Sequence, residues 1–97
     1  MQVSIEKSSR AGKKWMATMN DKTVHFGARA YDDFTSHGDE KRKAAYLARH
    51  RTTEDWTLNG VETAGWWARW VLWNKPSLSA SIADVNRRFS SLNVSLR

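Results

Sequence analysis

The sequence contains no cysteine and a single proline in 97 residues. Without thiols it can build neither a disulfide framework nor a thiolate metal site, and its composition suits a reducing cytosolic or nuclear place of assembly. It has no internal repeat and no low-complexity stretch. Its longest apolar stretch, Thr63 to Trp73, spans 11 residues, against about 20 for a membrane-spanning helix. The N-terminus carries no apolar signal-peptide core. No span and a soluble protein are expected.

Catalytic signatures are missing as well. There is no GxSxG elbow, no GxxxxGK[ST] phosphate loop and no GxGxxG turn. His25, His37 and His50 are scattered, no serine is marked as activated, and a small domain must also furnish a water-excluding pocket. No enzyme, no cofactor and no catalytic residue is expected.

What is present is 40% hydrophobic and 27% charged residues, the make-up of one small globular domain over residues 1–97. The net charge is +6 and is unevenly placed: residues 1–51 hold eleven Lys/Arg against six Asp/Glu, the remainder five against four. A basic surface of this kind favours anionic partners.

Residues 1–27 alternate apolar and polar positions: Val3 and Ile5, then Trp15, Ala17 and Met19, then Thr23 to Phe26. Ser8 to Gly12 and Asn20-Asp21-Lys22 read as turns. The pattern predicts a small antiparallel β-meander whose lysines, Lys13 and Lys14 among them, make a basic arm or simply guard a sheet edge. Residues 27–38 form an irregular loop with Tyr31 and Phe34 as expected core anchors. Asp32, Asp33, His37, Asp39 and Glu40 crowd residues 32–40. They either cap a helix or ligate a divalent metal, and no strict ligand spacing supports the metal.

Asp39 to Arg51 is a helix by propensity, acidic at its start and basic at its end. Ala44, Leu47 and Ala48 are expected inward; Arg42, Tyr46 and Arg49 gather opposite, flanked by Lys43 and His50. Arginine and tyrosine on one exposed face can grip phosphates and stack on bases, so Lys13, Lys14, Arg42, Lys43, Tyr46 and Arg49 are the candidate nucleic-acid-binding residues; the alternative is a solvated charged face with Tyr46 packed inward at its edge. A connector around Trp56 follows, with a turn at Asn59-Gly60.

Thr63 to Trp73 holds four of the six tryptophans in eight residues. As a helix capped by Thr63 and stopped before Pro76, it places Trp66, Trp70 and Trp73 on one face and is apolar almost all round, which requires burial on several sides. Those three tryptophans are the candidate protein contact, should any remain uncovered. Leu78 to Phe89 forms the last helix, with a stripe of Leu78, Ile82, Val85 and Phe89 expected against Trp67 and Val71, and Asp84 outside. Leu92, Val94 and Leu96 alternate in the tail and suit a strand added to a sheet edge, here or in a neighbour. The fold expected is α+β: the meander (1–27), about three helices (39–89) with the Trp-rich helix central, and a tail (90–97).

The ordered series Thr23-Val24-His25-Phe26-Gly27, Tyr31-Asp32-Asp33-Phe34-Thr35, Arg49-His50, Glu54-Asp55-Trp56, then Thr-Ala-Gly-Trp-Trp and Leu72 to Ile82 resembles a family of short, basic, uncharacterised proteins of large double-stranded DNA viruses of the chlorovirus kind. The resemblance spans about residues 14–89 and implies a viral protein of unknown activity; it brings no catalytic residue with it. Two readings follow. One is a virion component, such as a minor capsid or cement protein, in contact with viral capsid proteins and able to self-associate. The other is a binding protein for viral DNA or RNA that uses the Arg42/Tyr46/Arg49 face. The place expected is the virion, with host cytoplasm or nucleus during assembly.

Overall fold

Alternating side chains in the first 28 residues put every second apolar group on one side of a sheet. The computed structural model describes residues 1–97. Strands β1 (Gln2–Lys7), β2 (Lys13–Met19) and β3 (Lys22–Ala28) form an antiparallel meander. Val3 opposes Met19, Ile5 opposes Ala17, Ala17 opposes Val24 and Trp15 opposes Phe26. This register brings Val3, Ile5, Ala17, Met19, Val24 and Phe26 into the core. Asn20 takes the left-handed conformation in the β2–β3 turn (φ 45°), one that asparagine tolerates better than most residues.

The tail supplies the fourth strand, β4 (Asn93–Leu96), which pairs parallel to β1 and gives the order β3-β2-β1-β4. The expected strand addition therefore takes place within this chain. Val94 and Leu92 are buried there.

Four helical elements cover the inner face. Asp33 caps the single turn α1 (Phe34–His37), accepting from the Thr35 N–H, and Gly38 ends it with φ +64°. Asp39 caps α2 (Glu40–His50), accepting from the Lys41 and Arg42 N–H groups. Asp33 and Asp39 are held at two separate helix starts and Glu40 lies in the first turn of α2, and no group of three or more possible ligands converges on a metal position. Phe34 is buried as expected, but Tyr31 is 74% exposed and anchors nothing.

On α2 the reading with Tyr46 packed inward is the one observed, while Ala44 and Ala48, expected inward, are not buried. Tyr46 is inside, Lys43, Leu47 and His50 are half-buried, and Ala44 and Ala48 face solvent. The phenol ring offers far more area to bury than two methyl groups, and an indole waits opposite it.

The Trp-rich segment begins as a helical turn, α3 (Ala64–Trp67), capped by the Thr63 hydroxyl, and continues as a π-helix through Ala68–Leu72. The Trp73 N–H reaches back five residues to the Ala68 carbonyl (3.0 Å). A wider turn advances fewer degrees per residue than an α-helix, so Trp73 is rotated away from Trp66 and Trp70, and the single face expected for the three does not form. Trp66 and Trp70 meet Phe89 at 5.1 and 5.3 Å between centroids, whereas Trp73 turns to α2.

The connector covers most of the rest. Indole N–H groups of Trp66, Trp67 and Trp70 donate to the carbonyls of Thr57, Val61 and Trp56 at 2.8, 2.7 and 3.0 Å. Trp66 and Trp67 are fully buried and Trp70 is 8% exposed. Trp66 and Trp70 are thus interior groups with satisfied donors, not a surface for a partner.

Helix α4 (Leu78–Arg88), capped by Ser77, buries Ile82 and Val85. Trp67, expected under this stripe, faces Phe26 of the sheet instead, 6.2 Å away. Asp84 is drawn inside, 5% exposed, because Asn74, Arg87 and Arg88 all donate to it. No helix is long and apolar enough to cross a membrane.

Candidate functional site

Three pieces of chain leave a cleft of about 580 Å³ between them: the end of β3 with the loop that follows, one side of α2, and α3 with its π-turn. At its back stands a column of rings. Trp73 lies flat on Tyr46, centroids 4.3 Å apart and planes 5° from parallel, and His50 covers the other face of Tyr46 at 4.1 Å. Tyr46 therefore offers the cleft an edge and a hydroxyl but no free face, which corrects the expectation that it stacks on a base. Burial pushes the phenol above its ordinary pKa range, with Glu54 adding to the effect and Arg69 and Arg49 opposing it. The group stays a protonated donor at neutral pH.

The charges of the wall are partly matched among themselves. Lys14 Nζ donates to Asp33 Oδ2 at 2.6 Å, which ties β2 to the α1 cap. His50 Nδ1 is 2.9 Å from Glu54 Oε2, and the Trp56 indole N–H donates to Glu54 Oε1 at 2.8 Å. Glycine at 65 makes room for this carboxylate: a Cβ there would lie 2.6 Å from Glu54 Cδ. Arg42 and Arg49 border the cleft and enter none of the ion pairs. They stand seven residues apart on α2, two turns and about 10.5 Å along its axis. Asp32 and the exposed ring of Tyr31 complete the rim.

The arrangement can engage a mixed ligand. Two free guanidinium groups suit phosphate oxygens bidentately. The Tyr46 hydroxyl and Asp32 carboxylate present one donor and one acceptor to a base edge, and Tyr31 has an open face on which a base can stack.

A family model described as a family of unknown function (DUF5754) matches residues 3–50. The matched segment runs from β1 to the end of α2, a little under half of the chain. No curated protein and no solved structure matches.

Of the residues singled out in the sequence, Lys14, Arg42, Tyr46, Arg49 and Trp73 converge on this cleft. Lys13 and Lys43 do not. Lys13 sits at the start of β2, where its carbonyl accepts from Arg29, and Lys43 Nζ donates to the Asn74 carbonyl at 2.7 Å. Sequence reasoning missed Tyr31 and Glu54 as wall residues. The signal for Tyr31 was its setting between Ala30 and two aspartates, an unfavourable neighbourhood for a core ring. For Glu54 the sequence held only its spacing of four from His50.

Proposed function

We propose that the protein is a non-enzymatic binding protein for single-stranded viral nucleic acid, and that the α2 cleft holds one nucleotide of the strand. The observation that carries this reading is the pair Arg42 and Arg49, both without a carboxylate partner, on the rim of a concave site that also presents the open ring of Tyr31. A concave site of this volume suits a splayed-out nucleotide, whereas duplex recognition uses an element that projects into a groove. The burial of Trp66 and Trp70 by the chain itself removes the main argument for a large hydrophobic contact with capsid neighbours.

The test is binding of a fluorescent single-stranded oligonucleotide at several salt concentrations. Affinity that falls steeply with salt, and falls about tenfold or more in Arg42→Ala/Arg49→Ala with unchanged melting, supports the reading. Equal binding by the wild type and the double variant sinks it.

One observation favours the virion reading: Leu96, on the outermost strand β4, is 47% exposed and offers an apolar contact to a neighbouring protein. Recovery of the protein in stoichiometric amount in particle shells freed of nucleic acid would support that role.

A further inference from the structure

The segment Trp73-Asn74-Lys75, where the π-turn ends, gathers cations from three elements. Arg69 Nη1 donates to the Trp73 carbonyl at 3.1 Å and Lys43 Nζ to the adjoining Asn74 carbonyl at 2.7 Å. The Asn74 amide donates to Asp84 at 2.8 Å, and Asp84 also holds Arg87 and Arg88. Arg69 and Arg88 lie over the same Trp70 ring, 4.2 and 5.0 Å from its centroid. Lys75 belongs to the segment itself.

Five cations thus share this region with two carboxylates, Asp84, which already accepts from three side chains, and Glu40, whose charge acts on Lys43. Lys43, Arg69 and Lys75 form no ion pair with any acid. Backbone carbonyls and indole faces orient these groups but leave their charge standing. The buried Arg69 Nε finds no acceptor at all. Like charges this close disfavour one another. Burial lowers the Lys43 pKa; Glu40 opposes the shift and Arg69, Lys75 and Arg88 add to it. Burial, then Arg88, do the same to Arg69. An anion with several oxygen acceptors would relieve the repulsion.

We infer that the surface formed by Lys43, Arg69, Lys75 and Arg88 is a second anion site, and that it binds the phosphodiester backbone of the strand whose nucleotide occupies the cleft. The inference rests on the cleft reading for the identity of the strand, not for the existence of the site. The two sites are neighbours. The Trp73 ring borders the cleft while its carbonyl is held by Arg69, and Arg42 and Lys43 are consecutive on α2. The cleft, whose walls are partly neutralised, supplies the base contact. The second site supplies most of the charge.

The experiment is a two-by-two set on the full chain: wild type, Arg42→Ala/Arg49→Ala, Lys43→Gln/Lys75→Gln and the quadruple variant. Each is titrated with a thymidine dodecamer over a salt series, with melting curves as a folding control. Neutralising two phosphate contacts on a single strand should flatten the slope of log K against log salt by about 1.4 and weaken binding on the order of twentyfold at 0.1 M salt. Lys43→Arg/Lys75→Arg should restore both. A slope unchanged by the lysine pair overturns the inference. So does pyrophosphate binding as tightly as the dodecamer, the mark of a site for free phosphate. If the lysine pair flattens the slope while the arginine pair changes nothing, the second site stands and the cleft reading alone fails.

Discussion

The indole of Trp73 and the phenol of Tyr46 lie ring on ring, 4.3 Å apart and within 5° of parallel, and this contact joins the end of the π-turn to α2. Helix α2 has little else to hold it. Tyr46 is its one buried residue, and the remaining half-buried positions are a lysine, a leucine and a histidine.

Removing the indole should therefore loosen the whole α2 wall. Trp73→Ala is expected to destabilise the fold by about 2–3 kcal/mol, at the lower end for a large aromatic because Trp73 is only half-buried. Trp73→Phe should retain most of the stability. Urea midpoints of the two variants measure the difference, and equal midpoints would mean that α2 is held by other contacts.

The Tyr46 hydroxyl is separable from its ring, since it makes no hydrogen bond within the chain. Tyr46→Phe should leave stability within about 0.5 kcal/mol of the wild type, because no internal bond is lost. Oligonucleotide affinity should nevertheless fall about threefold to tenfold if the hydroxyl donates to a base, one hydrogen bond being worth about 1 kcal/mol. Unchanged affinity would remove Tyr46 from the contact.

Asp84 sets an acid dependence of stability. Burial by itself would raise its carboxyl, but hydrogen bonds from Asn74, Arg88 and Arg87 outweigh it and hold the folded-state pKa well below the ordinary carboxylate range. With an unfolded value near about 3.9, the stabilisation is complete above that pH and is lost as pH falls through the depressed folded value. Asp84→Asn should be less stable at neutral pH by about 2 kcal/mol, a moderate figure because Arg87 is largely and Arg88 partly solvated. It should also show a shallower loss of stability between pH 4 and pH 2, read from denaturant midpoints across that range.

Much of this was legible in the sequence wherever a short period governed the outcome. The meander, its two turns, the acidic start of α2, the Thr63 cap and the tail strand follow from period-two alternation and from the needs of helix ends, whereas the single turn α1 with its Asp33 cap formed inside a stretch expected to be irregular. The Trp-rich face was not legible because one π-turn changes the residue-to-angle relation, and no residue type announces it. Nor could helical angles show that the connector's carbonyls would meet three indole N–H groups. On α2 an inward Tyr46 was one of two open readings, and nothing in the helix's own sequence showed that the Trp73 ring would decide between them. The cleft needed tertiary structure altogether, since Lys14, Tyr31, Arg49 and Gly65 come together only after the sheet, α2 and α3 have packed.

Glycines separate local strain from crowding. At Gly60 a Cβ would lie 1.9 Å from the Asp55 carbonyl oxygen, a backbone atom that cannot swing aside; at Gly12 it would meet nothing within 4 Å, although φ is +83°. Gly12→Ala should therefore lose only about 1–2 kcal/mol, the penalty of a left-handed alanine. Gly60→Ala should lose on the order of 3 kcal/mol or more, as the connector is forced off the tryptophans it covers. Thermal melts of both variants test the ordering, and a Gly60 variant as stable as the Gly12 variant would contradict it.

The outer edge of β4 is guarded by a single side chain. Asn86 of α4 donates through Nδ2 to the Val94 carbonyl at 2.9 Å and accepts the Val94 N–H at 2.7 Å, a pair of bonds like those an adjacent strand would make. An unprotected edge strand is a template for pairing with another chain. Asn86→Ala strips both bonds from a buried residue, at about 1–3 kcal/mol, and turns the outward groups of Val94 and Leu96 into a continuous open edge. Faster amide exchange at Val94 is the expected local result, and concentration-dependent association in sedimentation the expected global one. If exchange at Val94 is unaltered, β4 is held by β1 alone and the asparagine is incidental. If exchange quickens and the protein stays monomeric, the shortness of the strand suffices to keep other chains away.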